Sequence, residues 1–216
     1  MSGRPFERPK KFKNRMCMML IGILLQGMGL SMLIRLNLGT DPCSCFTLGV
    51  QNRLPEGLLS FGTLQLICNL VMFLFVIKND LSMIGFGTIG NMVCLGYISD
   101  FFTWVWSKVL PGGLSFFDNR TTCYILLIPV LAVFIFGAAT YMTAGLGMSP
   151  YDGLPFIIAG KQKKFSFKVV RMIWDISFMI LGFILGGTFG AVTIASAFFI
   201  GPVIAFIQKK LSVFIE

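Results

Sequence analysis

Arg171 and Asp175 stand four residues apart inside an apolar stretch of a 216-residue chain. In a helix this spacing puts them one turn apart on one face. A charge near mid-bilayer costs roughly 2.5–3.5 kcal/mol on insertion scales, so such a group faces a partner or a water-filled cavity. A carboxylate there suits proton or cation coupling; the same spacing equally suits a structural ion pair. Gln65 and Asn69 repeat the spacing with neutral amides, which either line a polar site or bond neighbouring helices. A third group comprises Asp41, Ser149 and Asp152. Asp41-Pro42 and Ser149-Pro150 each set a capping side chain directly before proline. Asp or Ser at N-cap accepts from first-turn amides, and Pro at N1 loses nothing because its N–H would be orphaned there. Asp152, three residues after Ser149, completes a pattern like a capping box. A helix start of this kind is a partial positive charge with free donors.

The residue inventory bounds the chemistry further. The chain has no His, which removes imidazole bases and ligands. Six cysteines, Cys17, Cys43, Cys45, Cys68, Cys94 and Cys123, form no C-x-x-C pair and read as small buried hydrophobes. Neither a metal site nor a cofactor is expected. Ser–Lys and paired-Asp constellations at suitable depth are absent, so the chain does not read as an enzyme.

These groups sit in a chain that is 56% hydrophobic and 12% charged; a soluble domain averages about 45–50% and 25%. A soluble protein, a disordered chain and a coiled coil are thereby excluded. The expected fold class is an all-α membrane protein, with the lipid bilayer as its surroundings. The net charge of +9 fits cytoplasmic loops that hold topology better than nucleic-acid binding, and no nucleic acid is expected as a partner. Arg4, Arg8, Lys10, Lys11, Lys13 and Arg15 crowd the first fifteen residues against Glu7 alone, which keeps that end inside. The apolar run after them is too long for a signal peptide.

Six apolar stretches, near 16–36, 61–77, 82–106, 122–144, 167–185 and 188–208, are read as crossings of a ~30 Å hydrocarbon core. Helix is the only option, because open strands leave backbone groups unpaired in lipid. The chain divides into a basic cytoplasmic tail (1–15), a first membrane repeat (16–110), a connecting loop (111–121), a second repeat (122–210) and a C-terminal tail (211–216). The repeat shows in colinear matches. Gly29, Leu38, Gly39 and Pro42 correspond to Gly137, Leu146, Gly147 and Pro150. Ser60-Phe61, Gln65 and Asn69 correspond to Ser166-Phe167, Arg171 and Asp175. Thr88 and Gly96 correspond to Thr193 and Gly201. Three crossings per half would turn the second half upside down, the inverted repeat of many transporters. This arrangement places 14 basic residues inside and 4 outside. If the short stretches after Pro42 and Pro150 also crossed, there would be eight crossings and parallel repeats, placing 16 inside and 2 outside. Charge does not separate the two; length does. The 13 residues from Pro42 to Leu54 reach about 20 Å as helix. Each is therefore expected as a short Pro-started helix, re-entrant or interfacial. Arg35 and Asp100, near predicted helix ends, are weaker candidates.

The segments LGTDPCS, LGMSPYDG and GTIGNMVCLGYISDFF resemble the bacterial YitT/YczE-type integral membrane proteins, over about Met16 to Ile207. Some YitT-like proteins carry a soluble C-terminal domain that is not seen here, so the resemblance is to the short branch. It implies a multi-pass inner-membrane protein, for which transport is suspected in some members and no substrate is established.

The expected function is a small secondary transporter or permease of the bacterial cytoplasmic membrane, with an unknown small molecule or ion as substrate and a homo-oligomer as a possible form. Asp175 is its best coupling carboxylate. The alternatives are the substrate-binding subunit of an energy-coupling-factor importer, and a non-transporting accessory protein. The topology predicts that Lys163→Cys resists an impermeant thiol reagent applied from outside and that Asn119→Cys reacts with it, both measured against the unsubstituted chain. The opposite pattern would sink the model.

Overall fold

The computed structural model describes residue 6 and residues 8–110, 112–162 and 164–214. Arg4, Glu7 and Lys163, which enter the charge pattern, lie outside the described residues. So do Pro111 of the connecting loop and Ile215 and Glu216 of the C-terminal tail.

The described residues form nine α-helices: α1 (Phe12–Leu36), α2 (Pro42–Gln51), α3 (Phe61–Asn79), α4 (Phe86–Val109), α5 (Arg120–Thr143), α6 (Pro150–Gln162), α7 (Phe167–Ile184), α8 (Ala191–Ala195) and α9 (Gly201–Leu211). No strand occurs among the described residues. By length and composition α1, α3 and α5 can cross a membrane, and the bent unit Ala191–Phe199 with Gly201–Leu211 makes a fourth if it counts as one span. α7 is as apolar along most of its 18 residues but carries Lys168, Arg171 and Asp175. At 1.5 Å per residue the 10-residue α2 and 13-residue α6 reach only about 15–20 Å.

Two boundaries differ from the sequence reading. α1 begins at Phe12, inside the expected basic tail. The stretch near 188–208 is broken: α8 leads into a π-turn at Ser196–Ile200 and a 57° bend before α9. Pro202 supplies the cause, since it has no N–H to continue the ladder and its ring crowds the preceding turn. The wider turn absorbs both.

α1 and α5 pack backbone to backbone. A Cβ on Gly22 would overlap Tyr141, one on Gly137 would overlap Gln26, and one on Gly29 would lie 2.8 Å from Phe134 N. Small residues at a helix crossing allow this approach, which in lipid is the main source of association. The partners run 22–141, 26–137 and 29–134, so the two helices are antiparallel. The contacts are also reciprocal: Gly29 meets Phe134, and their counterparts Gly137 and Gln26 meet each other.

The same reciprocity recurs beyond the crossing. After α1 the chain turns at Gly39 (φ 108°), and after α5 at Gly147 (φ 112°), a backbone region that favours glycine. Leu38 O accepts from Val192 N at 3.2 Å, and Leu146 O accepts from Gly87 N at 2.7 Å. Each turn thus docks on the opposite half's Gly-x-x-Thr helix start. There Thr193 Oγ1 accepts from Gly190 N, and Thr88 Oγ1 accepts from Gly85 N. Both threonines are buried. The short helices are exchanged as well: α2 packs on α7 and α6 packs on α3. Outward faces carry exposed Leu74, Ile125 and Ile128, as surfaces facing lipid do.

Replacing Gly137 by Val should force α1 and α5 apart and cost about 1–3 kcal/mol or more. Gly160→Ala, with nothing within 4 Å of the added Cβ, should be near neutral. Thermal unfolding in detergent checks both; equal melting temperatures would overturn the packing account.

Candidate functional site

The two helix starts come first, because their local chemistry sets the walls of the site. Asp41 caps α2: its Oδ2 accepts from Ser44 N at 3.1 Å. In the second half the carboxylate has moved from N-cap to N3, so that Asp-Pro-x-Ser becomes Ser-Pro-x-Asp. Ser149 Oγ accepts from Asp152 N at 3.2 Å and donates to Asp152 Oδ2 at 2.6 Å. The displacement points the second carboxylate at α7. Arg171 donates from Nη1 to Asp152 Oδ1 at 2.7 Å and from Nε to Asp175 Oδ2 at 3.0 Å. Asp175 Oδ1 accepts from the Tyr151 hydroxyl at 2.5 Å. The Arg171 guanidinium also lies 5.3 Å above the Tyr151 ring, close enough for a cation–π contact.

Asp152, Arg171, Asp175 and Tyr151 thus form one network, with both oxygens of each carboxylate occupied. Arg171 has five N–H donors and spends two on these contacts. Its side chain keeps 29% of its exposure.

The first half places neutral groups at the corresponding positions. Gln65 accepts from the Thr47 hydroxyl at 2.7 Å and approaches Cys43 Sγ at 3.9 Å through its amide nitrogen. Asn69 donates to Gln65 O at 2.9 Å. Cys43, the counterpart of Tyr151, meets Gln65 as Tyr151 meets the Arg171–Asp175 pair.

All seven sequence candidates, Asp41, Gln65, Asn69, Ser149, Asp152, Arg171 and Asp175, line a single cavity of about 470 Å³. Asp175 makes no hydrogen bond to Gln65 or Asn69; its direct partners are Arg171 and Tyr151. Gln65, Asn69, Ser149 and Asp175 are buried. The wall formed by Phe167, Lys168 and Ala205 is exposed and marks the mouth. The weaker candidates stand apart. Arg35 is exposed, and Asp100 accepts from Gly62 N at 2.8 Å, fastening α4 to the start of α3.

Sequence reasoning missed Tyr151, Gln26 and Asn91. Tyr151 adjoins Pro150 in the repeated motif, so its position was marked even though its partner, 24 residues on, was not. Gln26 and Asn91 are lone amides in apolar helices that meet across the cavity wall at 3.4 Å. Among the described residues no group of three or more Cys, Asp or Glu side chains is placed to hold a metal ion.

A family of unknown function, DUF6198, matches residues 13–209, and the chain belongs to it. An uncharacterized protein of Haemophilus influenzae is 30% identical over 192 residues, covering 87% of this chain and 80% of its own length. YczE, an uncharacterized membrane protein of Bacillus subtilis, is 28% identical over 120 residues, covering 56% of this chain and 52% of its own length. This likeness bears out the resemblance to YitT/YczE-type proteins and identifies a membrane protein. No solved structure matches the chain.

The network predicts an order of stabilities. Arg171→Met leaves buried Asp175 and partly buried Asp152 without their cation and should cost about 3–5 kcal/mol. Asp175→Asn leaves Arg171 still paired with Asp152 and should cost about 1–3 kcal/mol. Melting temperatures in one detergent test this, and the reverse order would falsify it.

Proposed function

We propose that this member of the DUF6198 family is a small secondary transporter of the bacterial cytoplasmic membrane and that the cavity is its solute site. In this reading α1, α3, α4, α5, α7 and the α8–α9 unit are six crossings, arranged as two inverted three-helix repeats with both termini cytoplasmic. The half-length helices α2 and α6 start at the cavity. The reading is of transport, not catalysis.

Two features of the fold support the inverted arrangement. Antiparallel α1 and α5 with reciprocal contacts are what a twofold axis perpendicular to both helices generates. For helices that cross the bilayer, such an axis lies in the membrane plane. The basic residues support the orientation, since Arg8 to Arg15, Lys161 to Arg171 and Lys209-Lys210 fall on one side.

The observation that carries transport is that corresponding positions beside the cavity are tightly packed on one side and open on the other. On the packed side Gly96 of α4 packs on Gly62 of α3, where a Cβ would sit 2.7 Å from Gly62 Cα, and Asp100 takes the Gly62 amide. On the open side Gly201 has nothing within 4 Å of its Cβ position. Exposed Lys168 stands where Gly62 does, and Ala205 stands where Asp100 does. A site at the junction of two halves, opened at one end at a time, is what alternating access requires.

Met172 lines the cavity and is half-exposed. In a chain free of its native cysteines, Met172→Cys should react with an impermeant maleimide in both right-side-out and inside-out vesicles. Adding Asp100→Ala should raise labelling from the closed side several-fold. Reaction from one side only, in both variants, overturns the reading.

A further inference from the structure

One carboxylate in the cavity differs from the others. Asp152 and Asp175 have donors on both oxygens, and both share Arg171. Asp41 Oδ2 accepts from the Ser44 amide, whereas its Oδ1 is buried with no hydrogen-bond partner. A buried charged oxygen without a donor is expensive. It becomes stable when it binds a proton or when a cation supplies the missing partner.

The charges around it favour a cation. The cavity wall holds Asp41, Asp152 and Asp175 against Arg171 and Lys168. Lys168 sits at the exposed mouth, and Arg171 is already flanked by two carboxylates, so the interior is net negative. The remaining ionisable groups on the wall are Cys43 of α2, Tyr141 of α5 and Tyr151 of α6. α1, α3 and α4 contribute amides and apolar groups, no charge. Phe134, Tyr141 and Phe156 line the same space. Rings around a negative site receive a cation's apolar body and its positive charge together.

We propose that the cavity binds a small organic cation, a protonated amine or quaternary ammonium, whose positive group pairs with Asp41 and displaces the proton that Asp41 carries when the cavity is empty. The inference rests on the reading of the cavity as the solute site and specifies its solute class. The exchange balances: protonated Asp41 and a monovalent cation give the Asp41 carboxylate–cation pair and one released proton. Asp175, locked by Tyr151 and Arg171, holds the second wall in place.

The test uses the whole chain in detergent and benzyltrimethylammonium as the probe, by titration calorimetry in two buffers of different ionisation enthalpy. The expected result is release of up to one proton per cation bound, with affinity falling about tenfold per pH unit below the titration of Asp41. Asp41→Asn keeps an N-cap acceptor for Ser44 N and should bind at least tenfold more weakly, with no pH slope. Should that variant fail to fold, proton release by the unsubstituted chain still decides the matter. Unchanged binding in Asp41→Asn overturns the proposal. So does binding without proton release at any pH, or binding of benzoate in place of the cation. Two-sided labelling at position 172 without cation binding removes only the solute class. Cation binding with one-sided labelling removes transport and leaves the site.

Discussion

The close antiparallel crossing of α1 and α5 is the constraint on which the rest of the molecule depends. In lipid there is no water for apolar faces to escape, so association rests on van der Waals contact and interhelical hydrogen bonds. Gly22, Gly29 and Gly137 strip the crossing of side chains and let the two backbones touch. Because the helices run in opposite directions, their C-terminal ends lie at opposite ends of the bundle. Each end then turns through a positive-φ glycine and meets the Gly-x-x-Thr start of the other half's last helical unit. A looser crossing would separate Leu38 from Val192 and Leu146 from Gly87 together.

This interlock explains why the site belongs to neither half alone. The turns at Gly39 and Gly147 lead directly into α2 and α6, which pack on the opposite half's second long helix, α7 and α3 respectively. Matching positions of the two halves therefore face one cavity, and any difference between them becomes a difference between its walls. Gln65 and Asn69 give one wall that is neutral; Arg171 and Asp175 give the other its charge. The exchange of Asp and Ser between N-cap and N3 has the same effect. One carboxylate stays with its own helix start, while the other reaches Arg171.

What was legible in the sequence was local. Capping before proline, the glycine turns and the Arg171–Asp175 spacing involve residues within one or two turns, and the structure forms each of them as expected. The seven candidates share a cavity because a duplicated motif marks corresponding positions, which a reciprocal fold brings together. What stayed hidden was either distant or an absence. Tyr151 bonds Asp175 across 24 positions, and no periodicity encodes that. The missing donor at Asp41 Oδ1 is a property of space around an atom. The break in the last apolar stretch was available from Pro202, but hydropathy alone reads through a proline.

The proposed inverted arrangement gives the unmatched positions a physical meaning. If the frame were perfectly symmetric, opening at either end would cost the same. A bias between the two states can then come only from residues that differ between the halves. Asp100 opposite Ala205 fastens α4 to α3 with a charge-assisted hydrogen bond that α9 lacks toward α7. Pro202 opposite Tyr97 lets α9 bend where α4 keeps an unbroken ladder. Lys168 opposite Gly62 replaces a close backbone contact with a long exposed side chain. All three act in one direction, holding the first half's end shut and leaving the second half's end open. In the proposed transport reading, the solute is what offsets that sum. A cation at Asp41, on the short helix packed against α7, is positioned to do so. It changes the charge at the first helix start while the Arg171 network keeps the opposite wall fixed.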